Sequence, residues 1–259
     1  MTFAGAARNC PSAWCGMLPR SISVIDDTSA VAGLGLSFRR GRPGPEDELV
    51  NWFLQERPFT IRRGYKVSVL CQPQLETGFP DIVLVVWHPP TAERWDSRRA
   101  VLTRYDIRLL HYLHYAGPAT TQELRTIFGS KLHAGLDRLT SARTIQKRRE
   151  TWVARSLSAS FAVRRIIAIE AKISNWSVAL DQALLNTWFA SDSYVLLPRI
   201  PRGASLLDEA AGLGIRVLTK AEPDPMAKLS ARADLPRSYA SWLFNEWVWR
   251  EHTGTRALR

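Results

Sequence analysis

Apolar residues in the first third of the chain follow one helical pattern and two strand patterns. After Pro45, the residues Leu49 and Phe53 recur on one helical face, and proline favours the first turn, so a helix is predicted to begin there. In "YKVSVLCQP" apolar and polar residues alternate, which is typical of a strand with one buried face. The continuous apolar run in "GFPDIVLVVW" predicts a strand that is buried on both faces.

The pattern changes to short helices in the middle of the chain. Three stretches carry apolar residues at helical spacing, namely "LTRYDIRLLHYLHYAG", "TTQELRTIFG" and "SKLHAGLDRLTSAR". The second stretch opens with Thr120 and Glu123 in the register of a capping box. The basic stretch "TIQKRRETWVAR" follows, and it is predicted to form a two-stranded ribbon.

Strands and helices alternate in the last third of the chain. Strand patterns occur in "RRIIAIEAK", "SYVLLP" and "IRVLTK", and helical patterns lie between them in "SVALDQALLNTWFA" and "SLLDEAAGLG". This alternation predicts an α/β sheet with right-handed crossovers. A final aromatic helix is predicted in "RSYASWLFNEWVWREH", with Trp242 and Trp249 expected to cover the sheet or to form a dimer contact.

Positive charge is concentrated in one part of the chain. The net charge is +11, and residues 98–165 contain 14 Arg and Lys but only 4 Asp and Glu, so this segment carries nearly all of the excess. A local basic excess indicates a nucleic-acid-binding module within a more neutral body.

Neither the hydropathy nor the cysteine content indicates a membrane or secreted protein. No stretch reaches the ~18–20 apolar residues of a membrane helix, and the first residues do not follow the pattern of a signal peptide. The odd, sparse set of Cys10, Cys15 and Cys71 favours a reduced, intracellular, cytoplasmic protein over a disulfide framework, with free thiols at Cys10 and Cys15 near a loose terminus. A zinc site at Cys10 and Cys15 would need ligands that the spacing does not supply.

Charged residues lie at the ends of two strands that are predicted to be buried. Glu170 and Lys172 share one face at the end of "IIAIEAK", whereas Ile173 is predicted to point the other way. Asp81 precedes the second apolar strand, and all three charges would converge if the two strands were neighbours. Two carboxylates can hold a hard divalent cation, and a nearby ammonium can orient water or stabilise charge on a phosphate. The set therefore suits metal-assisted phosphodiester hydrolysis.

Pro80-Asp81 and Glu170-Ala171-Lys172 resemble the motif of the PD-(D/E)XK nuclease superfamily. The resemblance implies a restriction-endonuclease-like α/β fold, a mixed sheet flanked by helices. It also implies a Mg²⁺-dependent deoxyribonuclease of the endonuclease type, in which Mn²⁺ could substitute.

The same resemblance implies a role for each residue of the motif. Asp81 and Glu170 would bind the metal, and Lys172 would assist the nucleophilic water. An accessory metal ligand is expected on the first helix, where Glu48 fits best and Glu46 is the substitute. Gln182, on the helix after the lysine, would position water or phosphate.

The three short helices and the basic ribbon resemble a winged helix-turn-helix domain inserted into the nuclease domain. In that family the third helix, here about residues 130–142, enters the major groove of double-stranded DNA, and the wing follows the backbone. The residues implied to contact DNA are Lys131, His133, Arg138, Arg143, Lys147, Arg148 and Arg149. The predicted domains are a partly ordered extension (1–44), the nuclease domain in two parts (45–97 and 158–259) and the winged helix (98–157).

Other interpretations of the same residues stay open at this point. The chain could be a DNA-binding regulator with an inactive nuclease fold, or a nuclease specific for RNA or for structured junctions. The Glu–Lys pair could be a surface pair at a strand end, and the basic segment a solvated helical insertion. A homodimer, a larger defence-type complex and a prokaryotic role in defence or mobile-element biology follow only by analogy with the family.

Overall fold

The structure, a computed structural model, describes residues 21–25, 34–39, 41, 43–56, 60–76, 78–202, 205–221, 228–229 and 237–257. Its strands are β1 (Ile22–Ile25), β2 (Thr60–Ile61), β3 (Lys66–Cys71), β4 (Ile82–Trp87), β5 (Ala119–Thr120), β6 (Ile145–Arg148), β7 (Thr151–Ala154), β8 (Val163–Ala171), β9 (Asp192–Leu197), β10 (Arg216–Thr219) and β11 (Lys228–Leu229). Its α-helices are α1 (Pro45–Glu56), α2 (Pro89–Ala92), α3 (Arg104–Tyr115), α4 (Thr121–Phe128), α5 (Leu132–Ser141), α6 (Leu157–Ser160), α7 (Trp176–Asn186), α8 (Leu206–Gly212) and α9 (Tyr239–Ala257). None of the helices in these ranges is long and apolar enough to cross a bilayer.

The chain divides into two compact units, each assembled from separate stretches of sequence. The described residues of the first unit fall within Met1–Thr28, Leu36–Trp87 and Arg164–Pro236. Those of the second unit fall within Ser29–Gly35, His88–Val163 and Arg237–Arg259.

The first unit is built on a six-stranded mixed sheet in the order β1-β3-β4-β8-β9-β10. β3 and β4 are antiparallel, whereas β8, β9 and β10 run parallel to one another. β1 adds a parallel edge strand beside β3, with Ile22 opposite Val67. Part of the predicted N-terminal extension therefore belongs to the sheet, while residues 1–20 lie outside the described residues.

Helices cover both faces of the sheet. Leu49 and Phe53 of α1 are buried in a core that includes Leu196 of β9. The neighbouring residues Val195 and Leu197 pack in a second core with α7 and α8. Because successive strand residues point to opposite faces, β9 lies between two helical layers. The α/β class and the mixed sheet flanked by helices are thus confirmed.

The second unit contains α3, α4, α5 and a three-stranded antiparallel sheet in the order β5-β7-β6. α3 and α4 each begin with a complete capping box, formed by Thr103 with Asp106 and by Thr120 with Glu123. The local sequence therefore fixes where both helices start. The predicted ribbon is present as β6 and β7, whose connecting turn contains Arg149 with a φ of +52°.

The last helix, α9, belongs to the second unit, so the prediction that Trp242 and Trp249 cover the sheet is wrong. The Trp242 ring lies 5.0 Å from that of Phe161, and the Trp249 ring lies 5.7 Å from that of Trp95, measured between centroids. An aromatic helix pattern does not specify which of two cores the helix completes. The two compact units divide at 87/88 and 163/164, whereas the predicted domains divide at 97/98 and 157/158.

A buried ion pair joins α9 to the segment before α3. The guanidinium of Arg99 donates to both carboxylate oxygens of Glu246 and to the carbonyl oxygen of Ser160. It also lies 3.6 Å from the ring centroid of Trp95. Since breaking such a pair leaves a buried charge uncompensated, at a cost of about 3–5 kcal/mol, it ties α9 to the rest of this unit.

Cys71, the last residue of β3, is disulfide-bonded. The prediction of a reduced protein is therefore wrong at Cys71. Cys10 and Cys15, where a zinc site was considered, lie outside the described residues.

Candidate active site

The predicted charges meet where β4 begins and β8 ends. Asp81 immediately precedes β4, Glu170 is the penultimate residue of β8, and Lys172 follows that strand. The backbone N–H of Ala171 donates to Asp81 Oδ2 at 2.8 Å, which links the two strands. Asp81, Glu170, Lys172 and Gln182 line one cavity of about 190 Å³. The strand neighbours that the sequence hypothesis required are present.

Ile173 does not continue the strand. It is exposed, because β8 ends at Ala171 and the chain turns toward α7. The strand alternation predicted to place Ile173 opposite Lys172 therefore ends at Ala171.

α1 contributes Glu46 to the cavity rather than Glu48. Glu46 Oε2 lies 3.5 Å from Lys172 Nζ, and Asp47 also lines the cavity. Glu48 is exposed and is not among the residues that line it. Residues two positions apart on an α-helix point in directions that differ by ~200°. Glu46 and Glu48 therefore cannot both face the cavity. The preference for Glu48 is corrected in favour of its substitute.

Glu170 is a buried carboxyl group held by one strong donor. Asn186 Nδ2 of α7 donates to Glu170 Oε1 at 2.6 Å. Burial, followed by the negative charge of Asp81, raises the pKa of Glu170 to about 8. Burial also raises the pKa of Asp81, despite the opposing hydrogen bond from Ala171 and the charge of Lys172. Each carboxylate therefore needs a proton or a cation nearby.

Asn186 was missed by the sequence hypothesis, although a signal was available. It follows Gln182 by four residues on α7, and side chains at this spacing share one helical face. Gln182 lines the cavity as predicted, and Asn186 lies one turn deeper, against Glu170.

Gln72 is a second residue of the site that sequence reasoning missed. It follows β3 with a φ of +51°, a left-handed conformation that is uncommon for residues other than glycine. Its Nε2 lies 3.4 Å from Asp81 Oδ1, while its Oε1 is buried without a hydrogen-bond partner among the described residues. Strained backbone and an unsatisfied buried oxygen are features that cluster at functional sites. No pattern in the sequence signals this conformation.

The cavity has side-chain oxygens of the kind that bind a small divalent cation. Asp81 and Glu170 supply two carboxylates, and Gln72 Oε1 is a further oxygen without a partner. In the described part of the chain, no group of three or more His, Cys, Asp or Glu side chains could hold a metal ion. Mg²⁺ does not need one, because it is commonly bound through one or two carboxylates, with water and substrate phosphate completing its shell.

The residues predicted to contact DNA all lie in the second unit, and two of them, Arg138 and Arg143, form ion pairs with aspartates. Arg138 donates to both carboxylate oxygens of the buried Asp106, at 2.8 Å each. The prediction that Arg138 faces DNA is therefore corrected to a structural role. Arg143 lies 3.3 Å from Asp96, and the other predicted contacts, Lys131, His133, Lys147, Arg148 and Arg149, are exposed.

No protein-family model matches the chain, and neither a curated protein nor a solved structure matches it.

Proposed function

We propose that this chain is a Mg²⁺-dependent nuclease of the PD-(D/E)XK type that hydrolyses DNA phosphodiester bonds. The observation that carries the proposal is the meeting of Asp81, Glu170 and Lys172 in one cavity at the ends of two adjacent strands. The raised pKa values of both carboxyls add to it, because a divalent cation would relieve the cost of charging them.

Each side chain of the site has a task in this reaction. Asp81 and Glu170 would hold the cation, which when bound supplies Lewis-acid stabilisation of the phosphate charge. The N–H of Ala171 fixes one oxygen of Asp81, and Asn186 fixes one oxygen of Glu170. Lys172 Nζ lies 3.2 Å from the carbonyl oxygen of Ala171, where its charge can stabilise the phosphate or orient the attacking water.

Gln182 and Glu46 also line the same cavity. Both are exposed, so they can reach a substrate without a change of the core. Gln182 would position water or phosphate, and Glu46 keeps Lys172 directed across the cavity through their 3.5 Å contact.

The second unit is proposed to be a winged helix-turn-helix that binds duplex DNA. Three helices followed by β6 and β7 support this assignment, as does the exposure of Lys131 and His133 beside the start of α5. Lys147 and Arg148 of the ribbon would contact the phosphate backbone of the DNA. Lys147 Nζ lies 5.9 Å from the ring centroid of Trp152.

Incubation with supercoiled plasmid, linear duplex and single strands, each with Mg²⁺, Mn²⁺ or EDTA, tests the proposal. Wild-type protein should cut only with a divalent metal, and Glu170→Gln should not cut. Glu56→Gln, an exposed change at the end of α1, is the matched control and should cut normally. Binding without cleavage under every metal condition would favour the regulator hypothesis instead.

A further inference from the structure

A second cavity lies beside the proposed reaction site. Its volume is about 640 Å³, which is within the range of small-ligand sites. Lys172 lines the first cavity and Ile173 lines the second, although their Cα atoms are only ~3.8 Å apart. The backbone N–H of Lys172 donates to the carbonyl oxygen of Leu196, and Leu197 lines the second cavity. The two cavities are therefore neighbours at the same end of β8 and β9.

The charge of the second cavity favours an anion. Arg199 and Arg202 line it, and both side chains are exposed. Among the described residues, neither arginine forms a salt bridge, and no Asp or Glu lines the cavity. Two guanidinium groups without a counter-charge suit phosphate groups, which they can bind in a bidentate manner.

The same cavity has an aromatic wall. Trp176, the first residue of α7, is half-buried and packs against the core formed by α7, α8 and β9. This packing holds the indole, while the cavity leaves part of it accessible. Within the described ranges no other aromatic ring stacks on Trp176. An accessible aromatic ring beside two arginines is the combination that binds single-stranded nucleic acid, through base stacking and backbone charge.

We infer that this cavity binds an unpaired nucleotide next to the phosphate that is cut. Trp176 stacks on the base, and Arg199 and Arg202 contact the adjacent phosphates. A base can reach the indole only when it is outside the duplex stack. The preferred substrate is therefore a strand with an unpaired nucleotide at the cleavage point, such as a flap or the single-stranded side of a junction. That the bound nucleotide lies next to the phosphate that is cut rests on the proposed function, but the binding of the nucleotide in this cavity does not.

Binding in EDTA tests the inference without any cleavage. Fluorescence anisotropy would compare a labelled dT12 strand with a labelled blunt hairpin duplex of equal charge. Trp176→Leu keeps an apolar side chain against the core but removes the stacking face, so affinity for dT12 should fall by about 5- to 150-fold. Affinity for the duplex should stay within about twofold, because its bases are not accessible. Trp176→Phe restores an aromatic face and should recover part of the lost affinity.

The arginines have a matched control in the same unit. Arg199→Gln with Arg202→Gln should weaken dT12 binding and reduce its log–log salt slope by ~0.7 for each lost phosphate contact. Arg62→Gln with Arg63→Gln removes the same charge from the exposed turn before β3 and should change the slope less. Equal losses in both double variants, or a Trp176→Leu protein that binds dT12 normally, would overturn the inference. A protein that shows the expected binding pattern but cuts nothing would overturn the nuclease proposal alone.

Discussion

The buried carboxyl of Glu170 should make the metal-free protein less stable at alkaline pH. The pKa of Glu170 is about 8 in the folded protein, against an ordinary value of 4.5. Between these two values the folded state holds a proton that the unfolded state has released. The stability contributed by the protonated carboxyl is therefore complete below pH 4.5 and is lost as the pH rises to 8.

The size of this effect follows from the same two values. At ~1.4 kcal/mol for each pKa unit, charging Glu170 in the folded state costs at most about 5 kcal/mol above pH 8. Glutamine has almost the same shape and carries no charge, and its carbonyl oxygen can still accept the hydrogen bond from Asn186. Glu170→Gln should therefore stabilise the first unit at pH 8.5 by several kcal/mol in EDTA, and should change little at pH 5.

Urea unfolding at pH 5 and pH 8.5, in EDTA and in Mn²⁺, measures the effect. Mn²⁺ should stabilise the wild-type protein at pH 8.5, by about 2.7 kcal/mol at a hundred times the dissociation constant, and should not stabilise Glu170→Gln. Glu56→Gln, exposed at the end of α1, should behave as wild type throughout. If Glu170→Gln were no more stable than wild type at pH 8.5 in EDTA, the carboxyl could not be buried as the structure places it.

Three further variants address separate parts of the molecule. Lys172→Ala should lower the cleavage rate by ~10²–10³ and spare duplex binding, because its ammonium acts on charge that develops during the reaction; a wild-type rate would remove Lys172 from the mechanism. Changing Lys147, Arg148 and Arg149 together to glutamine should weaken duplex binding and reduce the log–log salt slope of the binding constant by ~0.9 for each lost phosphate contact. An unchanged slope would exclude the ribbon from the DNA interface. Arg138→Ala should destabilise the second unit by about 3–5 kcal/mol, because Asp106 would stay buried without a counter-charge. Arg125→Ala, on the exposed face of α4, should change stability by less than ~0.5 kcal/mol. Equal small effects on unfolding would refute the structural role of Arg138.

Elements with strong periodicity were predictable from the sequence. The continuous apolar run that forms β4 is buried along its whole length, and α1 begins at Pro45 as predicted. The candidate charges were also predictable, because Asp81 precedes one apolar strand and Glu170 lies near the end of another. Their meeting was predicted only on the condition that the two strands are neighbours. Burial of a charge on a strand has few explanations other than a site or an ion pair.

Contacts between distant segments were not predictable in the same way. The choice between Glu46 and Glu48 depends on the rotation of α1 about its axis, which periodicity determines only approximately. Gln72 enters the site through one left-handed residue after β3, which its residue type does not signal. Arg138 has the charge expected of a DNA contact, and only the position of Asp106 on another helix assigns it to an ion pair.

The pairing of Arg99 with Glu246 also has a consequence for the order of events during synthesis. These residues are 147 positions apart, so at ~5–20 residues per second the carboxylate is made roughly 7–30 s after the arginine. During that interval the part of α3 that packs against α9 stays open to the solvent or to a chaperone. All strands of the six-stranded sheet have been translated by then, since β10 precedes α9 in the chain. Every strand of that sheet is therefore synthesised before α9, the helix that completes the second unit.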